Sequence, residues 1–255
     1  KNTPCFLRKG VENFKNKSFI ACIADAYSEK NNNEVLNVET FINEILVKSL
    51  NLDLFATLQN GSLISEFQSK NLNEENFNDM NLDNSITDSL LYTKLNNTDD
   101  KNVIMLKRLV TAYKNFISYL TTSSSIIDYK FTWDLICTPN KNLFEKGVNL
   151  IILNLPLDDI TANLNIICPS NFYSVNKYDP KRETLILLEK YEYFEPIYIV
   201  IDKSKSGSAN FKTSKLFTPM LMEKVPNLKY ISNIIQDIYS TMCKPKLSLP
   251  NIYKF

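Results

Sequence analysis

Apolar residues recur every three or four positions in several stretches of this 255-residue chain, and that spacing predicts amphipathic helices packed against a core. The first such stretch carries Phe19, Ile20, Ile23 and Tyr27, and Ser18 precedes it as the expected N-cap. The predicted helices cover residues 18–29, 37–50, 51–58, 99–120, 129–138 and 225–242. Helices therefore dominate the first half of the chain.

Runs of apolar and β-branched residues replace the helical pattern in the second half and predict strands. The predicted strands cover residues 148–153, 164–168, 184–188 and 197–201. A turn is expected at Tyr193–Pro196, between the last two strands. Helices followed by a small central sheet and a C-terminal helix indicate an α+β fold, in a single domain over residues 1–255.

Two polar stretches are expected outside this framework. Residues 69–100 are rich in Asn and Asp with sparse apolar positions, which predicts an insertion that carries short helical turns. Residues 244–255 contain Pro245 and Pro250, and because proline cannot continue a helix, this segment is predicted to be an extended tail.

Composition excludes several classes of protein. The net charge is +1, so no global attraction to nucleic acid or to an anionic membrane is expected. No apolar run approaches the roughly 18–20 residues that a membrane-spanning helix needs. The five cysteines contain no C-x-x-C pair, so we expect reduced, buried thiols in an intracellular protein. The four glycines form no phosphate-binding motif, so no cofactor is predicted. The missing C-x-x-C pair argues against a zinc site, and the adjacent pairs Asp99–Asp100 and Asp158–Asp159 fit surface turns, so no metal is predicted.

The sequence contains no histidine, although imidazole is the base that most thiol and hydroxyl proteases use. Residues 15–25 nevertheless read Lys-Asn-Lys-Ser-Phe-Ile-Ala-Cys-Ile-Ala-Asp. This segment resembles the nucleophile helix of the OTU (ovarian-tumour) family of papain-like deubiquitinating cysteine proteases, whose pattern is Asp-Gly-Asn-Cys-Leu-Phe-Arg-Ala-Ile-Ala-Asp. Ser18 stands at the position of the catalytic cysteine.

Two later segments resemble the same family in the same order. Trp133 precedes the strand motif Gly147–Leu153, which is similar to the family's G-x-x-I-x-V-I. Tyr193–Ile197 is similar to the family's last motif, H-Y-[DN]-x-V, with Tyr193 at the position of the histidine and Glu195 at that of the orienting acid.

The resemblance implies a papain-like fold that has lost its thiol, its imidazole and the loop that stabilises an oxyanion. We therefore expect no catalysis, and we expect a protein-interaction or architectural unit of a larger protein or assembly, with other regions of its own parent protein among the candidate partners. Binding is expected at the former cleft beside Ser18 and Tyr193, or along the tail at Leu247–Phe255. The abundance of Asn and Lys suits a protein of a large DNA virus, located in the cytoplasm or within a viral assembly.

Two alternatives remain open from the sequence. Aromatic and cationic residues are interleaved in a predicted loop, as in surfaces that bind single-stranded nucleic acid. These candidate binding residues are Phe172, Tyr173, Lys177, Tyr178, Lys181 and Arg182. The second alternative is an active deubiquitinase-like protease that uses Cys22 or Ser18 as its nucleophile.

Overall fold

The computed structural model describes residues 5–31, 36–68, 82–96, 99–156, 163–169, 178–202 and 211–243. Within these ranges the chain folds into ten α-helices and seven strands. The helices are α1 (Lys15–Lys30), α2 (Val38–Thr40), α3 (Leu52–Thr57), α4 (Ser62–Phe67), α5 (Asn84–Thr87), α6 (Leu90–Leu95), α7 (Asp100–Thr121), α8 (Tyr129–Cys137), α9 (Pro219–Lys224) and α10 (Pro226–Thr241).

The strands form one mixed sheet. They are β1 (Cys5–Arg8), β2 (Val148–Asn154), β3 (Asn165–Ile167), β4 (Glu183–Lys190), β5 (Tyr193–Asp202), β6 (Phe211–Ser214) and β7 (Leu216–Phe217). The order across the sheet is β1-β5-β4-β2-β3, with β2 parallel to β4 and the other neighbours antiparallel. The α+β class predicted from the sequence is confirmed.

The β4–β5 hairpin closes through a two-residue turn. Lys190 pairs with Tyr193, and the residues between them, Tyr191 and Glu192, have φ of 57° and 60°. Both central residues with positive φ define a type I′ turn, which matches the twist of the flanking strands. The predicted turn at 193–196 is therefore wrong, because those residues already belong to β5 and pair with β4.

Strands β4 and β5 pair with each other only near their turn; further from it, each pairs with one of the next two strands. β6 pairs with the far half of β5, whereas β7 pairs with the start of β4. At the bend between β6 and β7, the carboxylate of Glu29 accepts a hydrogen bond from the backbone N–H of Lys215. The side chain of Lys215 forms a salt bridge with buried Asp25 at 2.5 Å. Helix α1 therefore fixes the point where the sheet divides.

The hydrophobic core lies between this sheet and the helices around it. Helix α1 is buried on nearly all sides from Ser18 to Ala26, which is why its sequence is apolar beyond a single stripe. Trp133 on α8 is 1% exposed and anchors the core, as a lone tryptophan usually does. The hydroxyl of Tyr239 on α10 donates to the backbone oxygen of Leu150 at 3.2 Å and joins that helix to β2.

Several local predictions need correction. Helix α1 begins at Lys15, with Phe14 at its N-cap and no capping side chain, so Ser18 lies one turn inside the helix. The predicted helix over 37–50 is irregular, because a π-helical stretch at Phe41–Leu46 follows α2. Within the predicted polar insertion, residues 82–96 carry α5 and α6. Residues 69–81 and 97–98 lie outside the described part of the chain, as does the predicted tail at 244–255.

The prediction of unpaired cysteines is wrong for two of the five. Cys168 and Cys243 form a disulfide with their Cα atoms 5.4 Å apart, whereas Cys5, Cys22 and Cys137 are free thiols. The two partners are 75 residues apart in the chain. No spacing motif announces such a pair, since only the fold brings the end of β3 to the end of α10.

Candidate functional site

Helix α1 lies beside the edge of β5, so the segment that carries Ser18 touches the strand that carries Tyr193 and Phe194. The hydroxyl of Ser18 accepts a hydrogen bond from the backbone N–H of Phe194 at 3.1 Å. It donates to the backbone oxygen of Lys15 at 2.8 Å. Ser18 is 0% exposed, and both of these hydrogen bonds go to backbone groups, which gives its hydroxyl a structural role.

Cys22 lies one turn further along α1 and completes the same contact. Its thiol donates to the backbone oxygen of Phe194 at 3.4 Å. Burial raises the pKa of the Cys22 thiol well above its ordinary value, and the nearby carboxylates of Asp25 and Glu195 raise it further. Because the thiolate is the nucleophilic form of cysteine, Cys22 is held in its unreactive state. Ser18 and Cys22 together satisfy both backbone polar groups of Phe194.

Aromatic rings fill the space next to Ser18. The ring of Phe194 packs edge-on against Phe19 with centroids 5.2 Å apart. Tyr129 contacts both rings and packs in turn against Trp133. Such edge-to-face contacts close the interior around the serine, so a substrate chain would have to displace packed rings to reach it.

Tyr193 and Glu195 have partners other than Ser18. The backbone of Glu12 hydrogen-bonds the hydroxyl of Tyr193, while partial burial raises the pKa of this phenol. A Cβ atom at Gly10 would lie 3.0 Å from the same hydroxyl, so the segment before α1 fits closely over Tyr193. The carboxylate of Glu195 accepts a hydrogen bond from Arg8 at 2.9 Å. The structure thus brings Ser18 next to the Tyr193–Phe194 peptide, but the two hydroxyls bond different groups.

Exposed apolar side chains lie around the start of α1, and the sequence alone did not single them out. Phe14 is 71% exposed, Ile126 65% and Tyr191 58%. Two contacts hold their segments near one another. Lys15 pairs with Glu192 in the hairpin turn, and the backbone N–H of Ile127 donates to the oxygen of Asn16 at 3.2 Å. We call Phe14, Ile126 and Tyr191 the apolar rim.

The predicted nucleic-acid patch is only partly within the described chain. Phe172, Tyr173 and Lys177 lie outside it. The hydroxyl of Tyr178 bonds the hydroxyl of Ser232 at 2.8 Å, and Arg182 donates to the backbone oxygen of Cys137 and pairs with Asp179. Lys181 is exposed. Two of the three described members therefore support the packing of their loop, and nucleic-acid binding stays a prediction.

Within the described residues, no group of three or more acidic or cysteine side chains is arranged to hold a metal ion. None of the helices in those ranges combines the length and the hydrophobicity that crossing a membrane requires.

Comparison with known proteins gives one relative. Over 136 residues the chain is 24% identical to an uncharacterized protein of Acanthamoeba polyphaga mimivirus. The match covers 50% of this chain and 8% of the relative. No family model matches the sequence, and no solved structure matches it.

Proposed function

We propose that this chain is a non-catalytic module with an OTU-like, papain-like scaffold that binds a protein partner for a larger viral protein. The observation that carries the proposal is the state of Ser18. It is fully buried, and its hydroxyl is bonded to two backbone groups. A nucleophile needs an adjacent base and access to its substrate. The hydroxyl of Ser18 bonds backbone groups instead of a base, and it is buried away from the surface.

The contact between α1 and β5 supports the OTU-like part of the proposal. The resemblance requires the segments that carry Ser18 and Tyr193 to lie close together, and here the hydroxyl of Ser18 bonds the backbone N–H of Phe194, the residue that follows Tyr193. The absence of histidine from the sequence agrees with a scaffold whose shape has been kept without its chemistry. Aromatic packing by Phe19, Tyr129 and Phe194 occupies the former cleft.

The apolar rim is the surface proposed to bind the partner. Its residues are too exposed to contribute to the core, and exposed apolar clusters with polar surroundings mark interaction sites. The hairpin turn supports the same reading, because Tyr191 and Glu192 both adopt the left-handed conformation, where Asn and Gly are preferred. Unfavourable backbone conformations tend to persist where a function requires the side chain.

The viral context rests on the relative. The chain spans 8% of an uncharacterized mimivirus protein, which suits a module embedded in a much longer polypeptide. The partner can therefore be another region of the same protein or a separate viral or host protein.

The experiment compares affinity capture by three forms of the chain from lysate of infected amoebae. The forms are wild type, the rim variant with Phe14→Ser and Ile126→Ser, and a control variant with Tyr230→Ser, whose ring is also exposed, at 68%, on α10. We expect a protein that wild type and control enrich equally and that the rim variant loses at least tenfold. Equal capture by all three forms, with each folded by circular dichroism, would contradict the proposal.

A further inference from the structure

The disulfide between Cys168 and Cys243 joins two elements at the margin of the fold. Cys168 directly follows β3, and Cys243 lies two residues beyond α10. We propose that this bond is a reducible clasp, and that its reduction releases β3 and the last turn of α10 while the rest of the fold stays intact. The inference is independent of the function proposed for the apolar rim.

Strand β3 is weakly held without the bond. It has three residues and is the last strand in the order of the sheet, and among the described strands it pairs only with β2, through three residue pairs. Its side chains are exposed or half-buried. Short edge strands with little burial open at low free-energy cost, well before the whole domain unfolds. The covalent link to Cys243 is therefore the strongest connection of this strand to the remainder of the protein.

The body of α10 has attachments of its own. Leu228 and Ile235 are fully buried, the hydroxyl of Tyr239 bonds β2, and Ser232 bonds Tyr178. These contacts lie before the end of the helix and do not involve the disulfide. Loss of the bond is thus expected to free residues after Tyr239 and to leave the helix in place.

The burial of the two cysteines differs and favours one of them as the site of attack. Cys243 is 3% exposed as a residue, whereas Cys168 is half-buried, so we expect an external thiolate to attack at Cys168. In the first step the thiolate of a dithiol reductant attacks Sγ of Cys168. The bond to Cys243 breaks, a mixed disulfide forms, and Cys243 leaves as a thiolate that takes up a proton. The second thiol of the reductant, as a thiolate, then attacks the reductant's own sulfur in the mixed disulfide. The reductant leaves as a disulfide and Cys168 is released as a thiolate that takes up a proton, so two electrons pass from the reductant to the protein.

Release of β3 would change the surface of the sheet. Strand β2 is paired along its other side by seven residue pairs with β4, so it stays in place. The backbone groups of Ile152–Asn154 that β3 covers would become an open sheet edge, to which an extended peptide can add. Oxidising surroundings keep the clasp closed, and a reducing cytosol favours the open form.

Hydrogen–deuterium exchange of the full chain, with and without dithiothreitol, tests the clasp. We expect reduction in native buffer, at least tenfold faster exchange at residues 165–167 and 240–243, and unchanged exchange in β4 at 185–188. Removal of the reductant with reoxidation should restore slow exchange. The double variant Cys168→Ser and Cys243→Ser should show the reduced pattern without dithiothreitol, while Cys5→Ser, which removes an exposed free thiol, should behave as wild type in both buffers.

Three results would overturn the proposal. Exchange that accelerates equally in β3 and β4 would show that the disulfide stabilises the whole domain and not β3 alone. Unchanged exchange at 165–167 after complete reduction would show that β3 needs no covalent support. A disulfide that dithiothreitol cannot reduce without denaturant would show that Cys168 is not accessible.

Discussion

Ser18 on α1 accepts a hydrogen bond from the backbone N–H of Phe194 on β5, 176 residues later, at 3.1 Å. The bond lies inside the protein, since neither residue is appreciably exposed. On the side of β5 away from β4, the hydroxyl of Ser18 takes the place of a neighbouring strand as the acceptor for the N–H of Phe194. Ser18 therefore links helix α1 to strand β5.

Replacing Ser18 should destabilise the fold. In Ser18→Ala the N–H of Phe194 loses its acceptor, and a buried unsatisfied donor costs about 1–3 kcal/mol. We expect the free energy of unfolding in urea to fall by this amount. The control is Ser118→Ala on the exposed side of α7, which should change it by less than about 0.5 kcal/mol. Equal effects at the two serines would contradict the structural role of Ser18.

Replacing the two residues of the β4–β5 turn should stabilise the fold, but it removes Tyr191 from the apolar rim. Each non-glycine residue in the left-handed conformation costs about 1–2 kcal/mol, and Asn-Gly is the preferred type I′ pair. The double variant Tyr191→Asn and Glu192→Gly should therefore raise the urea midpoint, because the ion pair of Glu192 with Lys15 is exposed and contributes little. We also expect this variant to lose partner capture. A lowered midpoint would show that the turn is not under strain.

The salt bridge between Lys215 and Asp25 should contribute more to the free energy of unfolding than a surface ion pair does. Asp25 is almost fully buried and Lys215 is three-quarters buried, so Lys215→Met leaves a buried carboxylate unpaired, at a cost of about 3 kcal/mol. Adding Asp25→Asn should recover part of that loss. The comparison is Lys30→Met, which breaks a more exposed pair with Glu183 and should cost less than about 1 kcal/mol. Similar losses in both single variants would be evidence against the buried pair.

Stability should decrease at alkaline pH. Burial raises the pKa of Cys22, Cys137 and Tyr239 and raises that of Tyr129 to about 12. In the unfolded chain cysteine and tyrosine ionise near about pH 8.5 and about pH 10. Their contribution is thus fully present below about pH 8 and is lost as the pH rises from there towards about 12.

Urea unfolding measured from about pH 7.5 to about pH 11 checks this expectation. The midpoint should be flat at the lower end and fall steadily above about pH 9. Tyr239→Phe removes one buried phenol and should make the fall above about pH 10 shallower. A midpoint that stays constant or rises across this range would show that these groups are not held neutral.

The sequence predicted most of the long elements and the short elements α3 and β3, but it missed three other short strands. Helices α7, α8 and α10 and strands β2 and β4 lie within a few residues of their predicted bounds, because each carries a clear period or a long apolar run. Strands β1, β6 and β7 have four residues or fewer, too few for a pattern, and they form because β5 and β4 offer them open edges. The β4–β5 turn was misplaced, since Tyr191 and Glu192 are not turn-forming types and Pro196 is.

The site predicted from the resemblance stays a prediction. The fold brings Ser18 on α1 against Phe194 on β5, but no described contact joins the side chains of Ser18 and Tyr193. Ser18 bonds a backbone amide because the register of β5 against β4 turns the N–H of Phe194 towards α1. No local sequence pattern encodes that register. The disulfide and the apolar rim likewise join residues distant in the chain, so only the tertiary structure reveals them.

We propose that neither Ser18 nor Cys22 acts as a nucleophile. Intact-mass analysis of the pure protein after incubation with an electrophilic ubiquitin probe, with a fluorophosphonate and with iodoacetamide tests this, alongside a ubiquitin–fluorophore turnover assay. We expect no adduct with the ubiquitin probe or with the fluorophosphonate, alkylation by iodoacetamide at Cys5 alone among the three free thiols, and no turnover. An adduct mapped to Ser18 or Cys22 in the folded protein, or turnover that Ser18→Ala abolishes, would contradict it.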